Sequence, residues 1–392
     1  MSNEIFILGS ARTAIGSFGG SLSGVSPIEL ASSVSNAAIQ RSNIEAKDIG
    51  QVAFGHVINT EPKDMYLSRV AAVQAKIPTD SPAMNVNRLC GSGAQAIVSI
   101  FQSLMMGDAD FGLAGGAENM SRSPHIVPDA RWGRKMGDAI VSDMMIGALT
   151  CPFGTGHMGV TAENVADALQ ISRYDQDYFA FESQRKALEA INAGRFKEQI
   201  ISIEVKKRKE ITIFEQDEHP KETTIEKLSS LPAVFKKGGT VTAGNSSGIN
   251  DGAAALVLAT KAAVSKNKLN PRAKILGYAQ TGVKPEVMGI GPISAVKKLC
   301  KKLRLELSDF DVIESNEAFA AQACAVSKEL NFDPKKVNPN GGAIALGHPV
   351  GATGAILTIK IISELQRINA KLGLVTMCIG GGQGIAIALQ LV

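Results

Sequence analysis

Four short glycine-rich segments interrupt this chain, and each stands beside a side chain able to do chemistry. They are Cys90-Gly-Ser-Gly93, Gly244-Asn-Ser-Ser-Gly248, Gly347-His-Pro-Val-Gly351 and Cys378-Ile-Gly-Gly-Gly382. Glycine lets backbone turn sharply and lets another chain segment, or a ligand, approach it closely. Glycine makes up 39 of the 392 residues, about a tenth, against roughly 7% in an average protein. A chain of this length is expected to form two or three domains, each with its own core. With 45% hydrophobic and 20% charged residues it is an ordinary globular sequence, which excludes disorder, collagen and coiled coil as descriptions of the whole.

The formal net charge of +4 is mild. It suits an anionic small ligand and does not suggest a nucleic-acid partner. The five cysteines (Cys90, Cys151, Cys300, Cys324 and Cys378) are odd in number and lack metal-type spacing, so reduced thiols are expected and no metal site. The N-terminal residues resemble neither a secretory nor an organellar leader. No apolar run is expected to reach the roughly 18–20 residues of a membrane span. The expectation is a cytoplasmic protein with no membrane partner.

Short β-branched runs alternate with helical patterns, which argues α/β. Glu4 to Leu8 and Gln51 to Ile58 read as strands. Ser26-Pro27 opens a helix with Leu30, Val34 and Ala38 on one face. Ser172-x-x-Asp175 caps a longer helix that Gly194 closes. From Ser121 to about Gly248 charge, Pro and Met increase, as in Lys206-Lys-Arg-Lys209, and this stretch reads as an insertion. A weak internal echo also appears. Val86-Asn87 before Cys90 is matched by Val337-Asn338 before Asn340-Gly-Gly-Ala343, and Gly112 to Ala117 by Gly380 to Gly384. Two copies of one β/α unit explain it, each with an extended segment, a glycine-rich turn, an Ala-rich helix, then a strand and a second glycine turn.

The motifs admit several chemistries. Cys90 precedes a helix, whose N-terminus favours thiolate and lowers a thiol pKa, as a nucleophile needs. The same stretch fits a dinucleotide fingerprint, G-x-G-x-x-A, with Asp110 as the ribose acid. Gly244 to Gly248 fits the nucleophile elbow G-x-S-x-G around Ser246, with Asp311 and His348 following in hydrolase order. His348 in its glycine frame reads as a proton carrier. Cys378 beside consecutive glycine amides reads as a base facing oxyanion donors. In Asn316-Glu317-Ala-Phe-Ala320, Asn316 would position a water, Glu317 would be a general base, or either would cap a helix. Each cysteine also reads as a plain buried thiol.

Taken together, Cys90-Gly-Ser-Gly, Asn316-Glu-Ala-Phe-Ala, Gly347-His348-Pro-x-Gly and Cys378-x-Gly-Gly-Gly resemble the motifs of a thiolase, in the right order from Glu4 to the C-terminus. The resemblance is to the short-chain biosynthetic type. It implies duplicated βαβαβαββ halves in a layered α/β/α/β/α core with an inserted loop domain. The N-terminal half would be 1–120 plus 249–269, the loop domain 121–248 and the C-terminal half 270–392. It also implies ping-pong chemistry. Cys90 would carry acetyl, with His348 taking its proton and the N–H groups of Cys90 and Gly380 holding the acyl oxygen. Cys378 would move the α-proton, and Asn316 would hold a water on the thioester oxygen.

The resemblance further implies two acetyl-CoA as substrates, acetoacetyl-CoA and CoA as products, and no tightly bound cofactor. CoA-ester contacts would fall to His157, Met158, Lys221, Leu231, Phe235, Ala243, Ser247, Met288, Ala318 and Phe319. Met158 would narrow the acyl pocket to short groups, a methyl-sized discrimination worth about 1–3 kcal/mol. A homotetramer is expected, with a contact from Ser121 to Asp143. The chain departs from the family pattern at Leu231-Pro-Ala-Val-Phe235, where Pro is displaced by one, and at Lys227 near the adenine. A broader-chain 3-ketoacyl-CoA thiolase, a Ser246 hydrolase and a non-catalytic CoA-ester binder are the alternatives.

Overall fold

In the computed structural model, which describes residues 4–207 and 210–392, the aliphatic run Ile5–Thr13 forms strand β1. Helix α1, Pro27–Arg41, follows. The Ser26 side chain accepts from the Glu29 N–H and Glu29 returns the bond, a full capping box, while Leu30, Val34 and Ala38 are buried as the pattern required. Strand β2 is Ile49–Gly55, helix α2 Leu67–Gln74, strand β3 Ala83–Val86, helix α3 Ser92–Met106 and strand β4 Phe111–Asn119. The second strand thus ends three residues before the expected Ile58. The N–H groups of Val57 and Ile58 turn away to the Glu118 carboxylate.

After β4 the chain leaves the sheet. It forms helices α4, Met158–Leu169, and α5, Arg173–Asn192, then returns as strand β5, Asn250–Thr260. Helix α5 carries the expected capping box from Ser172 and Asp175. A hairpin pairs Ile203–Lys207 with Glu210–Phe214. Lys206 and Lys207 of the basic run lie in its first strand, and Arg208 and Lys209 lie outside the described residues. The C-terminal part supplies β6, Ala273–Gly282, α6, Gly291–Leu303, β7, Val312–Ser315, α7, Ala320–Glu329, α8, Thr353–Arg367, β8, Leu372–Ile379, and β9, Gln383–Leu391.

The strands lie in the order β3-β2-β4-β5-β1 and then β6-β9-β8-β7. In the first group β3, β2 and β4 are parallel, and β5 and β1 each join antiparallel. In the second, Val337 bridges β7 in parallel, β7 is parallel to β8, and β9 and β6 each join antiparallel. Each group therefore repeats one topology, with its strands in the order third, second, fourth, fifth, first. The two meet where Ile5–Ile7 pairs with Ala273–Ile275. The weak echo corresponds to this repeat: Val86 ends β3, and Val337 stands at the equivalent edge.

Helices α3 and α8 pack against each other between the two groups of strands, while α1 and α2 cover one outer face and α6 the other. This gives the layered α/β/α/β/α core. The central contact is close because it uses glycine. A Cβ on Gly354 would lie 2.2 Å from the Ala94 nitrogen, and one on Gly93 would lie 2.9 Å from the Ala355 nitrogen. Against the expectation of no span-like run, Leu89–Met106 has a mean hydropathy of 1.3 over 18 residues. That stretch is α3 and its lead-in, apolar because sheet and helix surround it. Gly112 to Ala117, read as a turn, is instead fully buried inside β4.

Candidate active site

Cys90 stands between the end of β3 and the start of α3. The turn is tight: the Ser92 hydroxyl accepts from the Arg88 N–H at 2.9 Å and donates to the Leu89 carbonyl at 2.6 Å. Leu89 is held at φ +44°, a left-handed conformation costly for a non-glycine residue and found where surrounding structure enforces it. The backbone N–H groups of Gly380 and of Cys90 itself point at the Cys90 sulfur. The thiol pKa nevertheless rises. Burial dominates the two amide donors, and the nearby Glu118 charge adds to the rise. The expectation of a helix-lowered thiol pKa is therefore corrected: the N-terminus is there, but the low-dielectric pocket outweighs it.

His348 is presented by Gly347, whose φ of +107° belongs to glycine. A Cβ there would strike the Asn250 side chain at 2.5 Å, and the Asn250 Oδ1 accepts the His348 N–H at 2.9 Å. The ring Nδ1 lies 2.6 Å from the Thr353 hydroxyl, which donates its one proton to the Pro349 carbonyl at 2.9 Å. In the neutral ring Nδ1 must then carry the hydrogen, an assignment made from the hydrogen-bond pattern. That leaves Nε2 as the basic nitrogen, 3.4 Å from the Asn316 amide. Burial holds the His348 pKa down at about 4, so the ring is neutral near pH 7.

Asn316 follows β7, anchored by its N–H on the Thr376 carbonyl at 3.0 Å. Its Oδ1 is buried and has no donor among the described residues, the kind of acceptor that a water or ligand satisfies. Glu317, left open as a base, is instead a structural acceptor. It takes bonds from the Ser183 hydroxyl, the Asn338 amide and the Ile344 N–H, at 2.6, 2.7 and 3.2 Å. Cys378 lies within β8, fully buried, and burial followed by the neighbouring Cys90 raises its thiol pKa. It shares one apolar cluster with Met158, Met288, Ala318 and Phe319.

These elements enclose a narrow cavity of about 50 Å³. Its walls include Cys90, His348 and Gly380, and also Met158, Ser247, Met288, Ala318 and Phe319 from the expected contacts. His157 and Phe235 stand outside that wall. Their rings stack at 4.8 Å, and Phe235 meets Phe319 edge-on at 6.0 Å. Lys221 lies in a separate surface groove with Arg185 and Lys227. Leu231 packs under Gly244, and Ala243 is exposed. The cavity also uses Val57, Leu89, Met120, Ala148, Leu149 and Val350, none singled out from sequence. Leu89 and Val350 adjoin motif residues, which was the one available signal.

The rival motifs come apart in space. The Ser246 hydroxyl donates to the Thr242 carbonyl, the Asp311 carboxylate accepts from the Lys371 and Leu372 N–H groups, and His348 is turned to Thr353. They form no hydrolase triad. The Gly91-x-Gly93 fingerprint serves packing, with Gly93 against α8, and the Asp110 carboxylate accepts from the Thr260 hydroxyl.

Comparison with known proteins adds independent findings. A family model described as thiolase, N-terminal domain, matches residues 5–262, and one described as thiolase, C-terminal domain, matches residues 269–391. The chain is 53% identical over 392 residues to beta-ketothiolase BktB of Cupriavidus necator, covering all of both chains. It is 42% identical to the mitochondrial 3-ketoacyl-CoA thiolase of Bos taurus, covering 98% of each. Among solved structures, the Bacillus anthracis acetyl-CoA acetyltransferase superposes with a TM-score of 0.98 at 40% identity, over 100% of this chain and 99% of that one. Human mitochondrial 3-ketoacyl-CoA thiolase in complex with CoA gives 0.96 at 40% identity, over 100% and 98%.

Proposed function

Because this chain belongs to the thiolase family of acyltransferases, we propose that it joins two acetyl-CoA into acetoacetyl-CoA and CoA by a reversible ping-pong Claisen condensation. In the first half, His348 Nε2 takes the Cys90 proton as the sulfur attacks acetyl-CoA. The C–S bond to CoA breaks, CoA leaves as the thiol with that proton, and acetyl remains on Cys90. In the second half, Cys378 removes the α-proton of another acetyl-CoA, and the enolate carbon attacks the acetyl-Cys90 carbonyl. A C–C bond forms, the C–S bond to Cys90 breaks, the proton that the Cys378 thiolate took passes to the Cys90 sulfur, and acetoacetyl-CoA departs.

The reading is carried by one observation: Cys90, His348 and Gly380 line one narrow cavity, with the backbone N–H groups of Cys90 and Gly380 close enough to the Cys90 sulfur to favour its thiolate and with Cys378 next to Cys90. Both charge-developing steps need preorganised donors in a dry site. The N–H groups of Cys90 and Gly380 would hold the acyl oxygen, and a water on Asn316 with His348 would hold the enolate oxygen. The raised thiol pKa of Cys378 makes its thiolate a stronger base toward a weakly acidic C–H. CoA, which a solved relative holds, would be substrate and product, and the loop segment 121–248 would bind it. The walls of Met120, Met158 and Met288 support short acyl groups.

The test separates the two thiols. Cys378→Ala is expected to take acetyl from acetyl-CoA onto Cys90, read by mass spectrometry, yet to form no acetoacetyl-CoA. Cys90→Ala is expected to do neither. A Cys378→Ala enzyme without the acetyl adduct contradicts this division of labour. Thiolysis of longer 3-ketoacyl-CoAs as fast as of acetoacetyl-CoA would favour the broader-chain alternative, which the bovine relative's name supports.

A further inference from the structure

Glu118, next to last in strand β4, is a fully buried carboxyl that the chemistry above does not use. Its two oxygens gather three backbone donors from two distant parts of the chain. Oε1 accepts the Ile58 N–H at 3.1 Å, and Oε2 accepts the Val57 N–H at 3.0 Å and the Gly351 N–H at 2.9 Å. The His56 ring stands 3.4 Å from Oε1. A carboxyl with acceptor lone pairs on both oxygens suits three converging N–H groups. Burial outweighs His56 and the three amides, so the Glu118 pKa is raised on balance.

These donors matter because of where they lie. Gly351 is three residues past His348, and its carbonyl side is gripped as firmly as its N–H. Cβ atoms on Gly55, Gly93 and Gly116 would fall 2.5, 3.0 and 2.1 Å from the Gly351 oxygen. The loop bearing His348 therefore crosses the N-terminal half on a bed of glycines, with Glu118 holding its other edge. Val57 and Val350, next to or among the bonded residues, line the cavity with Cys90 and His348.

We propose that Glu118 is a positioning residue: its carboxylate fastens the His348 loop, from the C-terminal half, onto the N-terminal half at the distance from Cys90 that proton transfer requires. The proposal rests on Cys90 and His348 as nucleophile and base. A purely electrostatic role has the opposite sign. The Glu118 charge raises the Cys90 thiol pKa, so it opposes thiolate formation, and its value to the site is geometric.

The signs make the test decisive. Full-length Glu118→Gln keeps the size and loses the charge, and its amide turns N–H toward N–H. The rate of Cys90 alkylation by iodoacetamide at neutral pH is expected to fall, and kcat for acetoacetyl-CoA thiolysis to fall on the order of a hundredfold, with KM for CoA unchanged. Added to His348→Ala, Glu118→Gln is expected to slow alkylation no further. A Glu118→Gln enzyme alkylated as fast as or faster than wild type, or losses that add in the double variant, would overturn the proposal. If Glu118→Gln does not fold, Glu118→Asp carries the same cycle: it keeps the charge but shortens the reach, so it too is expected to slow alkylation through His348. Wild-type acetylation by acetyl-CoA is measured alongside. Its absence would sink the acyl-transfer reading, while the alkylation cycle still decides the role of Glu118.

Discussion

His348, the proposed base, is kept neutral by burial, and this has a consequence for stability. An unfolded histidine ionises near pH 6.5, whereas folded His348 does so at about 4. Between these values the unfolded chain binds a proton that the folded chain refuses. The stability from this group is fully present above about pH 6.5 and is lost as pH falls toward 4, by about 3 kcal/mol. Urea unfolding near neutral pH and near pH 5 is expected to show a smaller acid loss in His348→Asn than in wild type. Equal losses would contradict the low pKa. The residues themselves were legible: Cys90, His348, Asn316 and Cys378 stand in short motifs whose glycines advertise close approach. Their ionisation was not legible. The helix end beside Cys90 is a local feature, but the burial that overrides it comes from Met158, Phe319 and His348, far away in the chain. The surroundings of Lys221 and Ala243 were not legible either, because position along an irregular segment does not say which groove it reaches: Lys221 lines a separate surface groove and Ala243 is exposed.

Capping and periodicity placed α1 and α5 closely, since Ser26 with Glu29 and Ser172 with Asp175 are local devices that act on their own helix. Strand ends were less readable. β2 stops at Gly55 because His56 makes the last bond to Val86 and Glu118, some 60 residues later, takes the amides of Val57 and Ile58. The glycines of β4 looked like a turn because sequence cannot reveal that Gly116 faces the Gly351 carbonyl across the core. The same kind of contact sets the spacing of α3 and α8, and with it the distance between Cys90, two residues before α3, and His348, five residues before α8. Gly354→Ala would put a methyl 2.2 Å from the Ala94 nitrogen, a backbone atom that cannot swing aside. Overpacking of this kind costs about 1–3 kcal/mol where the core can adjust. A urea midpoint at or above wild type would show that the helices separate freely. The expected outcome is a lower midpoint together with slower Cys90 alkylation.

The duplication explains why one site needs the whole chain: Cys90 and Glu118 come from one half, and His348, Asn316 and Cys378 from the other. The segment inserted between β4 and β5 has a different surface. Ile126, Val127, Trp132, Met136, Ile140, Val141, Met144 and Ile146 are all exposed there, Trp132 at 89% and Met136 at 87%. So dense an apolar patch marks an interaction surface. We take its occupant to be another copy of the chain, in the tetramer proposed from the family resemblance. The same segment continues to Ala148 and Leu149, which wall the cavity, so assembly and substrate fit are joined by a few residues of backbone. Replacing Trp132 and Met136 together with Glu is expected to halve the assembly mass in light scattering, from four chains of 41.2 kDa to two. Both positions are exposed, so folding and Cys90 acetylation are expected to survive, while KM for acetoacetyl-CoA rises as the Ala148–Leu149 wall loosens. An unchanged mass would assign the patch to a different partner. A halved mass with unchanged KM would separate assembly from the site.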